Sequence, residues 1–298
     1  MKLEAKAGQL CRGLGYSEII TYSFVSPTIF DQIRIPAESP LRNAMRIQNP
    51  LGEDTSIMRT VALPSMMDIL ARNFNYHNKS VKLYEVAKVY LPTAGQALPE
   101  EPKMLLLGTY GASANFFTLK GEVEALFAGL RLKKASYAAV KTNPSYHPGR
   151  CACISVDGEE VGVMGQVHPL VAKNYGIDAD VYCAELNFTK LLSCQLPDAT
   201  YTPLPKYPSV SRDLSLVCDE AVTVAEAEAV ITAAAGKLLR GVKLFDIYRG
   251  VGVPEGKKSM AFSLELRADD RTLTDSDSEA VVTKVLAALK EKLNAILR

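Results

Sequence analysis

The residues best suited to recognition chemistry lie between Phe245 and Leu266, in FDIYRGVGVPEGKKSMAFSLEL. Asp246 accepts hydrogen bonds only while ionised, and Tyr248 offers a flat phenol ring two residues on. The second half of the stretch alternates Met260, Phe262, Leu264 and Leu266 with Ser259, Ala261, Ser263 and Glu265. Successive side chains of a strand point to opposite faces, so one face is apolar and the other nearly bare. A bare face beside one aromatic ring and one carboxylate is a seat for something planar. Arg249, Lys257 and Lys258, against Glu255 alone, give the connecting loop a positive excess suited to phosphate. The same pattern also fits the solvated side of a half-exposed sheet. The residues by themselves leave both readings open.

Elsewhere the chain offers little to a catalyst. Its six cysteines (Cys11, Cys151, Cys153, Cys183, Cys194 and Cys218) form no CxxC pair or metal spacing. Cys151 and Cys153 are expected as small buried residues on one sheet face. His77, His147 and His168 are too far apart in sequence to argue for a metal centre. There is no phosphate-binding glycine loop and no nucleophile elbow. GVMGQVHP reads as a strand that turns at His168 and Pro169. Arg150 in YHPGR reads as a charge on a structural turn, and Glu85 in LYEVAKVY as a buried or interface carboxylate.

These candidates need elements to hold them. With 298 residues, 48% of them hydrophobic and 22% charged, the chain has material for two globular domains. A net charge of +1 gives no overall pull on nucleic acid, so any such contact rests on local patches. No apolar run approaches the roughly 20 residues of a membrane helix. The opening MKLEAKAGQLCRGLGYSEII reads as an amphipathic helix, not a signal peptide. A soluble, cytoplasmic protein with no membrane contact is the expectation.

Pro197, Pro203, Pro205 and Pro208 crowd a stretch without hydrophobic periodicity, which predicts an extended linker over 197–208 between domains at 1–196 and 209–298. After the linker, RDLSLVC alternates as a strand. TVAEAEAVITAAAGKLL opens on Thr223 and Glu226 at capping-box spacing and continues as a helix. VKLFDIY is read with Phe245 and Ile247 on one face and Leu244, Asp246 and Tyr248 on the other. The bare strand, a helix entered from Thr274 or Ser276, and a short strand over 295–298 complete β-α-β-β-α-β. With both helices on one face, this is a ferredoxin-like sandwich with an open sheet face.

Upstream, EIITYSFV, NAMRIQNP, VKLYEVAKVY, KMLLLGTYG, CACISVDG, EVGVMGQV and DVYCAEL read as strands, with a hairpin turn at Asp157 and Gly158. Helices are predicted over 63–77 and 119–130. Many strands with few helices between them imply an antiparallel α+β domain.

The C-terminal stretches YPSVSRDLSLV, LFDIYRG, GKKSMAFSLEL and RTLTD, with the final LR, resemble the anticodon-binding domain that closes the β subunit of bacterial phenylalanyl-tRNA synthetase. Upstream, GYSEIITYSF, NPLGEDTSIMRTVALPSMM, LYEVAKVY, FFTLKGEVEALF, YHPGR and GQVHP are similar to the class II synthetase-like, non-catalytic module of the same subunit. The likeness covers nearly the whole chain and implies a C-terminal piece of a longer protein.

The resemblance implies an α+β fold: a class II synthetase-like antiparallel sheet with helices, then a ferredoxin-like βαββαβ sandwich. It implies that the open face receives the tRNA(Phe) anticodon loop. Tyr248 would then stack on a base, and Asp246 would meet a guanine donor edge. Ser215, Ser259, Ala261 and Ser263 would leave room for the base, while Arg249, Lys257, Lys258, Arg212 and Arg298 would meet phosphates. It further implies a catalytic α-subunit partner in an (αβ)2 assembly. ATP and magnesium would serve that parent enzyme, with no cofactor and no catalytic residue in this chain. MRTVALPSMMDILARNF would give either part of the partner surface or a plain core helix. Two alternatives are a free-standing paralogue without a charging role and a ferredoxin-fold regulator that binds a small molecule. The turn CDEAVT lacks the glycine that such a regulator would use.

Overall fold

Strands buried on both faces account for the unbroken apolar runs of the first two hundred residues. In a computed structural model, which describes residues 2–298, the chain divides into two units, Met1–Asp198 and Ala199–Arg298. The first begins with α1 (Lys2–Gly13), β1 (Ser17–Glu18), β2 (Phe24–Val25), α2 (Ile29–Gln32), β3 (Ile57–Met58) and α3 (Leu63–Asn75). It continues with β4 (Val81–Lys88), β5 (Lys103–Tyr110), α4 (Phe116–Gly129), β6 (Ala135–Ala139) and β7 (Tyr146–Val156). It closes with β8 (Glu159–Val167), α5 (Pro169–Asn174), β9 (Val181–Asn187) and α6 (Phe188–Leu191).

Seven strands form one sheet in the order β1-β4-β5-β9-β8-β7-β6, antiparallel throughout except between β1 and β4. Leu83, Leu106 and Cys183 share a core with Met66, Met67 and Leu70 of α3. Tyr84, Leu105, Leu107 and Ala184 share the other with Ala7 and Cys11 of α1 and Leu119, Val123 and Leu126 of α4. Helices thus cover both faces, and a strand such as KMLLLGTY has no polar side to show. Among the described residues no helix is long and apolar enough to cross a membrane.

Several expectations are corrected. EIITYSFV is not one strand: only Ser17–Glu18 and Phe24–Val25 pair, in different sheets. Between them, the Thr21 amide donates to the Glu85 side chain at 3.0 Å instead of to a ladder carbonyl. NAMRIQNP makes a single bridge, Arg46 to Ile57. β6 gives no apolar alternation in sequence and is half-exposed at the sheet edge. YHPGR lies inside β7, at an irregular register between Tyr146 and Cys151, and is no turn. His168 ends the strand as read, but its Nδ1 accepts from Leu170 N and starts α5 with Pro169 in the first turn. Met66 and Met67 are wholly enclosed, so α3 is a core helix whose methionines offer nothing to a partner. Cys151 is buried as expected, whereas Cys153 is half-buried.

The second unit holds β10 (Val210–Asp219), α7 (Val224–Ala235), β11 (Leu239–Tyr248), β12 (Lys257–Leu266), α8 (Asp275–Leu293) and β13 (Ile296–Leu297). Its sheet runs β11-β12-β10-β13, all antiparallel. Leu214, Leu216, Met260, Phe262 and Leu264 pack on Ala227, Ile231, Val281, Val285 and Leu289 of the two helices. Each such side chain contributes roughly 1.5–3 kcal/mol by leaving water. Both helices begin in full capping boxes, Thr223 with Glu226 and Thr274 with Asp277. This is the ferredoxin-like arrangement.

Among the described residues the first unit contains one enclosed ion pair. Arg59 Nη2 lies 3.4 Å from Glu85 Oε1, and the two side chains are 2% and 4% exposed. Arg59 also donates to Lys88 O at 2.8 Å and to Thr21 Oγ1 at 2.6 Å, while Thr21 Oγ1 donates to Glu85 at 2.8 Å. Arg59→Ala strands a buried carboxylate and is expected to cost about 3–5 kcal/mol in urea unfolding, most of it recovered by Arg59→Met with Glu85→Leu. A single variant that unfolds like wild type would show the pair to be dispensable.

Candidate functional site

In the second unit α7 and α8 pack on one side of the sheet, and no helix of that unit covers the other. The register lays the uncovered side out in rows. Ser215, Ala261 and Asp246 stand level across β10, β12 and β11, and Arg298 N donates to Ser215 O at 2.8 Å, which brings Arg298 into line with them. The next row is Ile296, Val217, Ser259 and Tyr248. The floor is low because its middle positions are small. Ser215 Oγ and Ser259 Oγ are 3.2 Å apart, and Ser211 Oγ and Ser263 Oγ 3.0 Å, so the hydroxyls satisfy one another in pairs.

Tyr248 and Arg298 reach toward each other over that floor. Their strands are three spacings apart, roughly 14 Å, too far for either side chain alone. Yet the Arg298 guanidinium lies 5.1 Å from the centroid of the Tyr248 ring, a cation–π distance. The Tyr248 hydroxyl donates to Val251 O at 3.4 Å. A Cβ at Gly250 would stand 2.7 Å from that hydroxyl oxygen, so the loop closes on the ring only because residue 250 has no side chain.

The face differs from its reading in sequence at one point. Leu244 pairs with Phe262 and Asp246 with Ala261, so β11 carries a bulge with Phe245 as the extra residue. The bulge puts Leu244 on the helix side, apart from Asp246 and Tyr248, where strict alternation had grouped all three. Phe245 is 55% exposed and does not join the core. Lys243, level with Ser263 on the open side, is also exposed. Alternation in sequence treats Phe245 as a regular strand position, which the bulge removes, and gives no signal for Lys243.

The expected cations divide sharply. Arg249 donates twice to Glu220 Oε1, at 3.0 and 2.6 Å. Lys257 pairs with Asp219 at 3.0 Å. Lys258 faces the helix side opposite Cys218, is 8% exposed, and donates to Glu220 O at 2.9 Å. Arg212, opposite Leu264, also faces the helix side and pairs with Asp275 at 2.7 Å. The loop therefore has no positive excess, because the end of β10 brings two carboxylates that sequence distance had hidden. Of the five cations expected at the site, Arg298 alone stands on the open face without a carboxylate partner among the described residues. The structure brings together Asp246, Tyr248, Ser215, Ser259, Ala261 and Arg298, with Lys257 at the margin, and turns Arg212, Arg249 and Lys258 to other work.

The assembled groups can stack, accept and donate hydrogen bonds, and meet one phosphate. None is placed to make or break a covalent bond, and among the described residues no three His, Cys, Asp or Glu side chains converge as a metal site would need.

Comparison with known proteins follows this division. Residues 1–188 match the model of the phenylalanyl-tRNA synthetase beta chain CLM domain, and residues 205–298 that of the ferredoxin-fold anticodon binding domain. The phenylalanine–tRNA ligase beta subunit of Clostridium tetani is 44% identical over 99% of this chain, and that of Clostridium acetobutylicum 44% over 95%. The beta subunit of Symbiobacterium thermophilum is 39% identical over the whole chain. The chain spans only 37%, 36% and 34% of those three proteins. Among solved structures, pyrrolysyl-tRNA synthetase from Desulfitobacterium hafniense aligns with a TM-score of 0.53 at 13% identity, over 64% of this chain and 67% of that one, a likeness of fold.

The Arg249 hydrogen bond, more than any other influence, holds the Glu220 carboxyl below the ordinary glutamate range. A lowered value means that the pair contributes above the ordinary carboxylate pKa and is lost as pH falls through the folded one. Carbon-13 NMR titration is expected to show a depressed Glu220 midpoint that rises in Arg249→Gln. Equal midpoints in the two proteins would show that the pair does not persist in solution.

Proposed function

The chain belongs to the phenylalanyl-tRNA synthetase β-chain family, and from that membership we propose that it supplies the anticodon-reading and subunit-holding parts of a phenylalanine–tRNA ligase β subunit. The observation that carries the reading is the Tyr248 ring beside Asp246 over a floor of small side chains. An unpaired base stacks on Tyr248 in place of the Arg298 guanidinium, which turns to the neighbouring phosphate. Asp246, at the same edge of the sheet, accepts from the donor edge of a guanine. The proposed partner RNA is the tRNA(Phe) anticodon loop, met in the cytoplasm.

Catalysis lies with a separate α subunit in an (αβ)2 assembly, which binds ATP and magnesium. A surface for that subunit is supported by Ile20 and Tyr22 in the segment between β1 and β2 and by Phe24 at the start of β2, which alternate at 92%, 81% and 44% exposure. Large apolar side chains in such a stripe are expensive to leave in water and mark a contact site.

Two measurements test these parts separately. In fluorescence titrations of the α-reconstituted chain with the anticodon stem-loop, Tyr248→Ala is expected to weaken binding by about 1–3 kcal/mol at each salt concentration. Unchanged affinity in that variant ends the stacking proposal. Ile20→Glu with Tyr22→Glu is expected to abolish co-purification with the α subunit while thermal unfolding of the chain alone stays as in wild type. An intact complex would mean that the stripe is not the interface.

A further inference from the structure

We propose that a cleft on the α3 side of the seven-stranded sheet is a binding site for a small primary amine with an apolar body, its ammonium paired to Glu185. The cleft holds about 460 Å³, within the roughly 300–1,000 Å³ usual for small-molecule sites. Ile33, Ile35, Leu41, Leu63 and Met104 form its apolar part, and Glu185 shares the polar part with Glu160 and Lys190. The site lies wholly in the first unit and is independent of the RNA-binding face.

Two carboxylates occupy one row of this sheet face, with Leu106 between them: Glu85 pairs with Leu106 on one side and Glu185 on the other. Glu85 has its counter-ion in Arg59. Glu185 has none: among the described residues no lysine or arginine forms an ion pair with it. Lys190, at the cleft, is held instead by Glu159 at 3.2 Å and by the Glu160 carbonyl at 3.1 Å. Tyr146 donates to Glu185 Oε1 at 2.9 Å. Burial pushes the Glu185 carboxyl above the usual carboxylate range, against the pull of hydrogen bonds from Tyr146 and the Leu63 N–H. A carboxylate accepts about four hydrogen bonds, so capacity remains toward the cleft.

A largely desolvated acid without a cation, in a cleft walled partly by apolar side chains, is a prepared half of an ion pair. Its desolvation has been incurred on folding, so an arriving ammonium gains the attraction without dehydrating the acid again. The apolar part of the wall then receives the rest of the ligand. Asn143 Oδ1 accepts from Ser145 N and Asn187 Oδ1 from Lys190 N, each at 3.0 Å. Both amide NH2 groups, which border the cleft, are left for an acceptor oxygen on the same molecule.

The test compares phenethylamine with 2-phenylethanol, equal in shape but uncharged, by calorimetry and ligand-observed NMR on the whole chain. The amine is expected to saturate one site and to bind at least about tenfold more tightly than the alcohol, as a hydrogen bond to a charged group requires. Glu185→Gln keeps the acceptor for Tyr146 but removes the charge. It is expected to melt at or above the wild-type temperature at neutral pH and to lose that preference. Equal binding of amine and alcohol by the wild type, no saturable amine binding at millimolar concentration, or undiminished amine preference in a folded Glu185→Gln protein would each overturn the proposal. The wild-type comparison decides the matter even if the variant does not fold.

Discussion

In the second unit, β12 pairs along its whole length with β10 on one side and, across two bulges, with β11 on the other. A strand so placed cannot choose its two faces independently. Met260, Phe262, Leu264 and Leu266 hold both helices, which fixes Ser259, Ala261 and Ser263 on the opposite side by the two-residue period alone. Because those three are small, any groups that stand above this face must come from the neighbouring strands and lean inward. The Tyr248–Arg298 contact is that lean. The helix side and the open side are thus two consequences of one alternating pattern.

The parts of the fold that depend on local rules were legible in the sequence. Thr223 and Glu226 announced a helix start through reciprocal satisfaction of free amides, and the alternation of β12 announced a two-faced strand. The parts that depend on distant partners were not. Asp219 and Glu220 lie some thirty residues before the loop they neutralise, and no window of sequence shows them beside Arg249, Lys257 and Lys258. Leu244 was grouped with Asp246 because alternation assumes a regular ladder, and a bulge is a property of pairing. EIITYSFV has strand composition throughout, yet a side-chain carboxylate captures the Thr21 amide and ends the ladder. The site was therefore half legible: Asp246, Tyr248 and the small floor could be read, whereas which cations are free could not.

The first unit shows how a buried charge depends on its surroundings. Glu85 and Glu185 share a sheet face and a neighbour in Leu106. One is closed into a network with Arg59 and Thr21, where every strong donor has an acceptor. The other faces a recess whose one lysine, Lys190, is held by Glu159 and the Glu160 carbonyl. The two differ in burial and in partner: Glu85 is enclosed with a cation, whereas Glu185 is half-buried and has none among the described residues.

The bulges of β11 also bear on solubility. This ten-residue strand ends the sheet, and a straight edge of that length offers its spare amides and carbonyls to a strand from another copy. Extra residues at Arg240 and Phe245 break the repeat that such a recruit would need to match. The same irregularity that separates Asp246 from Leu244 thereby guards the protein against edge-to-edge aggregation.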